Sequence, residues 1–435
     1  MATKQTDAAT LMVENIRALA SAGLQPSFDP MVLGKALSPA LAVMKSIDIT
    51  VPQDDSKETV DIVFDEETGS IIGWHKTERS KAKGLVTLKM AGVQAPGAAG
   101  KTRSVTFIFD KLAKRLVYAI AREIDEAIKP AEVLQRFDPE LKLPRLKVSE
   151  KKAMKGQRVL LLVHGILSET RAAFGGLKSS YQALAELYGN NLIAYDHFTL
   201  SKSTRDNAAE LLAQLPDGAA IDIVCHSRGA GVVRFLVENA ANRKALQERG
   251  IRIGTVCFVA GACEGSPLAT KEAADSLFKL IAQLLALTGA QSATVVKALG
   301  LLIRAMVSTA QRFPGVKAMD PGGAEVKALA GSKMTAATKY CYIRANFDPE
   351  KLIARFAEEQ VIDKRLFSGA ANDCIVPWKG ASVSKNYLAD FKEKVNVLGF
   401  ASDGTTQGAV WHTNFFDQAA VRAALVATLQ EGITP

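Results

Sequence analysis

The sequence predicts an α/β fold for residues 151–435, a mostly parallel sheet wrapped by helices. An N-terminal helical and β-rich α+β region is expected over residues 1–150. Two observations carry this. After Lys155, "RVLLLVHG", "NLIAYD", "IDIVCHS", "GTVCFVAG" and "YCYIRANF" are short, nearly continuous apolar runs, the pattern of strands covered on both faces. Helix-length stretches such as "LKSSYQALAELYG" and "GAGVVRFLVENAANRKALQERG" lie between them. A chain that alternates strand and helix buries both by wrapping helices around a parallel sheet.

The first 45 or so residues look helical. Between Ser46 and Asp110 the pattern becomes "IDITV", "TVDIVF", "GSIIGWH", "GLVTLKMA" and "SVTFIF", punctuated by "DEETGS" and "GVQAPGAAG". Short alternating runs with such turns predict antiparallel hairpins. An amphipathic helix, "KLAKRLVYAIAREIDEAIK", follows. The Pro-marked "DPELKLPRLKVSE" and the basic "SEKKAMKGQR" then read as a solvated linker. Residues 267–335 interrupt the later alternation with mostly helical, apolar sequence, and are expected to be an insertion at the C-terminal edge of the sheet. Its stretches "LFKLIAQLLAL" and "VVKALGLLIRAMV" suit an apolar lid over a pocket, and equally suit extra core.

Composition narrows the function. A charge of +9 with aromatics at 6%, and no run of Lys and Arg interleaved with aromatics, gives nucleic-acid binding little support. The N-terminus lacks the basic start, apolar core and cleavage site of a secretion signal. The most apolar region, Ser276 to Arg312, is broken by Lys279, Lys297 and Arg304, so no segment is expected to span a bilayer. The five cysteines form no CxxC pair and sit largely in apolar runs, which reads as reduced thiols in a cytoplasmic protein. No cofactor is indicated. No metal site is indicated either, because no two histidines have helical ligand spacing and the acidic residues do not cluster.

Chemistry points to "IDIVCHSRGAGVVRFLVE". A strand runs into His226-Ser227-Arg228-Gly229 and a helix begins at once. A serine on so sharp a turn holds its hydroxyl above the sheet at the positive end of the helix, although a serine there also suits an N-cap. Small residues are needed two before and two after it. Gly229 meets this, and Cys225 stands where glycine is usual. A nucleophilic serine needs a base, and of the five histidines only His412, in "GAVWHTNFFD", follows it in the chain. A packing role beside Trp411 and Phe415 is the alternative for His412. Asp373, in "GAANDCIVPW", is the expected acid that fixes the imidazole tautomer. Asp348, in "NFDPEK", competes with it.

"LLLVHGILSET" completes the set: a strand ends in His164-Gly165, and the glycine lets the amides of Ile166 and Arg228 converge on a developing oxyanion. His164 is expected to steady this loop by hydrogen bonding and His197 to pack locally. His226 and Arg228 are expected to orient the turn or line its mouth.

"LVHG", "IVCHSRGAG", "FVAGACEGSPLA", "NDCIVP" and "HTNFF" occur in the order of the α/β-hydrolase superfamily across residues 158–417. The chain resembles its bacterial lipase-like branch, closest to a poorly characterised group that also has elements similar to "YDHFTLSKS" and "FPGVKAMDPG". The resemblance implies the α/β-hydrolase fold, a Ser227–Asp373–His412 catalytic triad on a nucleophile elbow, and an acyl-enzyme route. It leaves residues 1–150 uncovered. The expected activity is hydrolysis of carboxylic esters, lipid-like ones included. Thioesterase or acyltransferase chemistry on the same triad is one alternative, and an inactive hydrolase scaffold used for binding is the other. The N-terminal region is the candidate surface for a protein partner.

Overall fold

The computed structural model describes residues 8–26, 47–52, 56–65, 67–77, 79–82, 85–90, 102–113, 116–129, 131–287, 292–309, 312–332, 338–346, 367, 370–382, 394–398 and 410–432. The chain forms two compact units: 1–127 with 275–312 and 353–361, and 128–274 with 313–352 and 362–435.

The first unit is antiparallel, as the alternating runs require. β1 (Gln25–Pro26), β7 (Thr102–Asp110), β3 (Lys57–Asp65) and β4 (Ile71–Lys76) form a four-stranded sheet in that order. β2 (Ile47–Pro52), β6 (Leu85–Met90) and β5 (Arg79–Ala82) form a three-stranded one. Val60, Ile62, Phe64, Trp74 and Phe107 of the sheet are buried, as are Ile16 and Leu19 of the helix Ala8–Ser21. The helices Ala274–Leu287 and Ala293–Thr309 belong almost wholly to this unit. The Trp74 indole donates to Asp275 at 2.9 Å, and Arg304 Nη1 donates to the Ala22 carbonyl at 2.7 Å. At Gly300 a Cβ would stand 2.8 Å from that of Ala22, so close helix contact needs the glycine. The expected 267–335 insertion is thus divided, with 267–274 and 313–335 remaining in the second unit. The reason is physical: the apolar helix Ala293–Thr309 packs with the N-terminal helix and with β3 and β4, and Ala274–Leu287 is tied to β4 through Asp275 and Trp74.

The second unit holds a seven-stranded sheet of order β14-β13-β12-β11-β9-β10-β8. Its strands are β8 (Val133–Arg136), β9 (Arg158–Val163), β10 (Leu192–Asp196), β11 (Ala220–His226), β12 (Arg252–Val259), β13 (Lys339–Ala345) and β14 (Lys394–Leu398). All pairings are parallel except that of β8 with β10. The antiparallel edge strand moves the unit boundary to residue 128, inside the expected 1–150 region. The segment expected to be a linker packs instead, with Leu134 and Leu146 buried and the Leu146 amide donating to the Leu134 carbonyl at 2.9 Å.

The continuous apolar runs arise because both faces of the sheet are covered. Val159, Leu161, Val163, Ile221, Ile223 and Cys225 enter one core cluster, and Leu160, Leu162, Val224, Cys257 and Val259 the other. This is the α/β-hydrolase fold. From β9 the chain goes to β10 on one side and then to β11 on the other, so the winding reverses between β9 and β11. In open α/β sheets the crevice beyond the strands' C-terminal ends at such a reversal is the ligand site. The loops at 164–166 and 226–228 are brought together there, with Cys225 in register with Val163.

The helix Gly229–Glu238, which follows β11, is buried along its whole length. It carries an ion pair: Arg234 Nη2 donates to Glu238 at 2.9 Å, and both side chains are essentially inaccessible. Arg234 also donates to the carbonyls of Cys263 (2.6 Å) and Leu329 (2.8 Å), so one guanidinium locates the loop after β12 and the end of the helix Ala324–Ala330. Glu238 holds the Arg234 guanidinium above the ordinary arginine range. Arg234→Ala strands a buried carboxylate, and is expected to lower unfolding free energy by about 3–5 kcal/mol. Arg234→Met with Glu238→Leu is expected to restore much of it in urea melts, and no recovery would contradict a desolvation cost of this size.

Candidate active site

Ser227 has φ +55°, the left-handed conformation that a residue with a Cβ adopts only under constraint. Three main-chain hydrogen bonds supply it. The Ser227 amide donates to the Val259 carbonyl (3.2 Å), and its carbonyl accepts from Ala230 (3.0 Å) and Ala262 (3.1 Å). Glycine is required at 229, where a Cβ would lie 2.5 Å from the Val163 carbonyl oxygen. Cys225 is fully buried in the core, with Sγ 3.7 Å from the Cys257 carbonyl, so the small thiol is accommodated where glycine is usual. Burial raises its pKa well above the free-thiol range, which makes it inert packing.

Gly165 touches the elbow. A Cβ there would be 2.7 Å from Ser227 Cβ and 3.1 Å from Oγ. The Ile166 and Arg228 amides follow the two touching residues, and Leu167 (φ +49°) is tied by its amide to Thr199 Oγ1 at 3.1 Å. His164 steadies this loop. Its Nδ1 lies 2.9 Å from the Gly165 carbonyl, and its Nε2 faces the His197 amide at 3.2 Å. The carbonyl can only accept and the amide only donate, so the proton sits on Nδ1. The ring stacks on His197 at 4.2 Å, and His197 stacks on Tyr195 at 5.3 Å.

Asp373 and His412 meet Ser227. Asp373 is buried in a tight loop whose ends, Asn372 and Pro377, form a β-bridge. Its Oδ1 accepts the amides of Ile375 (3.0 Å) and Val376 (2.7 Å), leaving Oδ2 for His412 Nδ1 at 2.9 Å. His412 Nε2 is 2.8 Å from Ser227 Oγ. With Nδ1–H donated to the carboxylate, Nε2 presents its lone pair to the hydroxyl. Ser266 Oγ donates to the Ile375 carbonyl at 2.6 Å and fixes the acid loop from behind. Asp348, the competing acid, lies outside the described residues.

Arg228, expected to orient the turn or line its mouth, has partners that its sequence position does not reveal. Its guanidinium is fully buried and donates to the Lys202 carbonyl (2.7 Å), Asn207 Oδ1 (3.0 Å) and the Gly315 carbonyl (3.3 Å). It thereby joins "YDHFTLSKS" to "FPGVKAMDPG" behind the elbow, where a Cβ on Gly315 would overlap the Thr199 carbonyl. Asn207 and the Phe198 amide donate to Glu132 at 3.1 Å each, and Glu132 also pairs with Lys202. Burial raises the Glu132 pKa despite these donors. The roles of Glu132, Asn207 and Ser266 are not legible in the sequence, because residues so far apart share no local spacing. Only the two loop motifs hinted at the place.

A cavity of about 1150 Å³ lined by Arg158, Asp222, Leu246 and Ile253 opens at the other, N-terminal end of the strands and contains none of these residues. Among the described residues no three His, Cys, Asp or Glu side chains converge as a metal site, and no helix is long and apolar enough to cross a membrane.

Fold and site together define an α/β-hydrolase-fold protein carrying a hydrogen-bonded Ser–His–Asp series. The chain belongs to DUF7379, a domain of unknown function, whose family model matches residues 127–430. No curated protein matches. Among solved structures it is similar to lipase 1 from Pelosinus fermentans, with 15% identity, 63% of this chain and 98% of that one covered, and a TM-score of 0.43. It is also similar to a metagenomic carboxyl esterase (20% identity, 72% and 91% covered, TM-score 0.35). A third is the RedJ thioesterase of the Streptomyces coelicolor prodiginine pathway (12% identity, 65% and 92% covered, TM-score 0.32). The strand order and the winding reversal define the fold independently of these likenesses.

Burial holds His164 and His226 down at about 3 and His197 well below its ordinary 6.5, so all three fold neutral. In the unfolded chain each takes a proton as pH falls below about 6.5. Stability from the three is therefore complete above that pH and is lost progressively toward about 3, at about 1.4 kcal/mol per pH unit for each. Urea midpoints are expected to fall between pH 7.5 and 5.5 by the equivalent of roughly 4 kcal/mol. A flat midpoint across that window would contradict the neutral assignment.

Proposed function

We propose that the protein is a serine hydrolase of carboxylic esters that works through Ser227, His412 and Asp373 by way of an acyl-enzyme. The observation that carries this is the unbroken series from Ser227 Oγ to His412 Nε2 (2.8 Å) and from His412 Nδ1 to Asp373 Oδ2 (2.9 Å), set on a left-handed elbow at the winding reversal. A serine that only capped its helix would need neither a buried imidazole nor a carboxylate behind it.

On this reading His412 Nε2 takes the hydroxyl proton as Ser227 Oγ attacks the ester carbonyl. The carbonyl oxygen becomes an oxyanion and takes hydrogen bonds from the Ile166 and Arg228 amides, donors typically worth about 3 kcal/mol each. Asp373 stabilises the imidazolium. His412 then gives its proton to the departing alkoxide, which leaves as the alcohol, with Ser227 acylated. Water, deprotonated by the same nitrogen, attacks the acyl-enzyme and releases the acid, returning the proton to Ser227. The lipase-like resemblance of the loop motifs supports esters with apolar acyl groups as the first substrates to try.

A fluorophosphonate probe is expected to label the wild-type protein at Ser227, and Ser227→Ala is expected to lose both labelling and p-nitrophenyl ester cleavage. A panel of acyl chain lengths, beside thioesters and amides, ranks the leaving groups. Turnover by Ser227→Ala equal to wild type would falsify the assignment.

A further inference from the structure

His226 precedes Ser227 in the chain, and its ring lies against that of His412, with centroids 5.0 Å apart, and edge-on to Phe416 at 5.9 Å. Its Nε2 is 2.8 Å from the main-chain carbonyl oxygen of His412. A carbonyl only accepts, so the proton sits on Nε2 and Nδ1 is bare. That Nδ1 is buried and has no hydrogen-bond partner among the described residues. An unsatisfied ring nitrogen carries a desolvation penalty that phenylalanine in the same space would avoid, so packing alone does not account for a histidine here.

We propose that His226 is a positioning residue that holds His412 in register with Ser227 by gripping the base through its own main-chain carbonyl. The inference rests on the reading of Ser227 and His412 as nucleophile and base. Two adjacent elbow residues then hold one residue at both ends, His226 by the carbonyl and Ser227 by the imidazole. Asp373 holds it twice as well, its carbonyl accepting from the His412 amide at 3.0 Å and its Oδ2 facing Nδ1 at 2.9 Å. His412 is thus fixed at main-chain N, main-chain O, Nδ1 and Nε2. Without His226 the main-chain oxygen is released. The imidazole can then drift from the hydroxyl while the substrate pocket keeps its shape. Burial keeps the His226 ring neutral down to about pH 3, so the grip persists throughout the ordinary pH range.

The test uses the full chain with probe labelling and p-nitrophenyl ester kinetics for wild type, Ser227→Ala, His226→Phe and His226→Gln. His226→Phe fills the space without a donor, and is expected to lower kcat and the labelling rate roughly 10- to 100-fold with KM and melting temperature little changed. His226→Gln, whose Nε2–H can reach the same carbonyl, is expected to recover to within a few fold of wild type. His226→Leu takes the place of His226→Phe should the ring variant not fold. Wild-type kcat in the donor-free variant, or equal losses in it and in His226→Gln, would overturn the positioning role. An unlabelled wild-type protein would instead sink the serine-hydrolase reading itself, so the two failures are distinguishable.

Discussion

One contact governs the site: the backbone of Gly165 against the left-handed Ser227. The serine's φ of +55° costs on the order of 1–2 kcal/mol relative to an ordinary conformation, and it persists because the surroundings determine it completely. The Val259 carbonyl and the Ala262 amide, both from β12 and the loop after it, hold the two peptide groups of the turn. Gly229 lets the new helix pass the end of β9, and Gly165 lets the β9 loop close on the serine. Either Cβ would separate the two loops, and with them the Ile166 and Arg228 amides. The rest of the site is arranged around this approach.

Two buried arginines show how the surroundings are fixed. Arg228 gathers main-chain carbonyls of the 199–202 and 313–315 loops, and Arg234 those of Cys263 and Leu329. Burying a guanidinium is costly, and a well-packed apolar pair often gives equal stability, so stability alone does not account for them. What they supply is location. Five donors in a rigid fork specify where several carbonyl oxygens sit, which no aliphatic side chain can do. Both arginines stand on the elbow segment itself, one beside the serine and one two turns of helix beyond. Loops from distant parts of the sequence are therefore referenced to a single short helix.

Much of this was legible in the sequence, for reasons that also mark where legibility stops. Strands covered on both faces must be apolar throughout, so β9, β11 and β12 announce themselves. The elbow is readable because its constraints are local, resting on Gly229 two residues beyond Ser227. The sequence singles out His412 as the one histidine after the serine and Asp373 by its Pro-closed loop, and the structure brings both side chains to Ser227. β8 escaped because four residues carry little pattern and its partner β10 lies some sixty residues on. The apolar pattern of Ala293–Thr309 reveals that the helix buries a face but not against what, and that face meets the N-terminal helix. Arg228 looked like a residue at the turn's mouth because sequence shows its charge and not the carbonyls that receive it.

Each group in the series takes its orientation from main-chain atoms before it meets another side chain. Asp373 Oδ1 is filled by two amides, so only Oδ2 is left for the imidazole. His412 is set by the Asp373 carbonyl at its amide and by His226 at its own carbonyl. His164 is set by the Gly165 carbonyl and the His197 amide. If the proposed reaction runs here, polar atoms held in this way need little reorganisation as charge develops, the condition under which fixed dipoles stabilise a transition state best. Such a site depends on where the strands end and on which positions lack a Cβ. The identities of the intervening loop residues matter far less. A sheet of this order can therefore keep its reactive geometry while the loops that shape its pocket change.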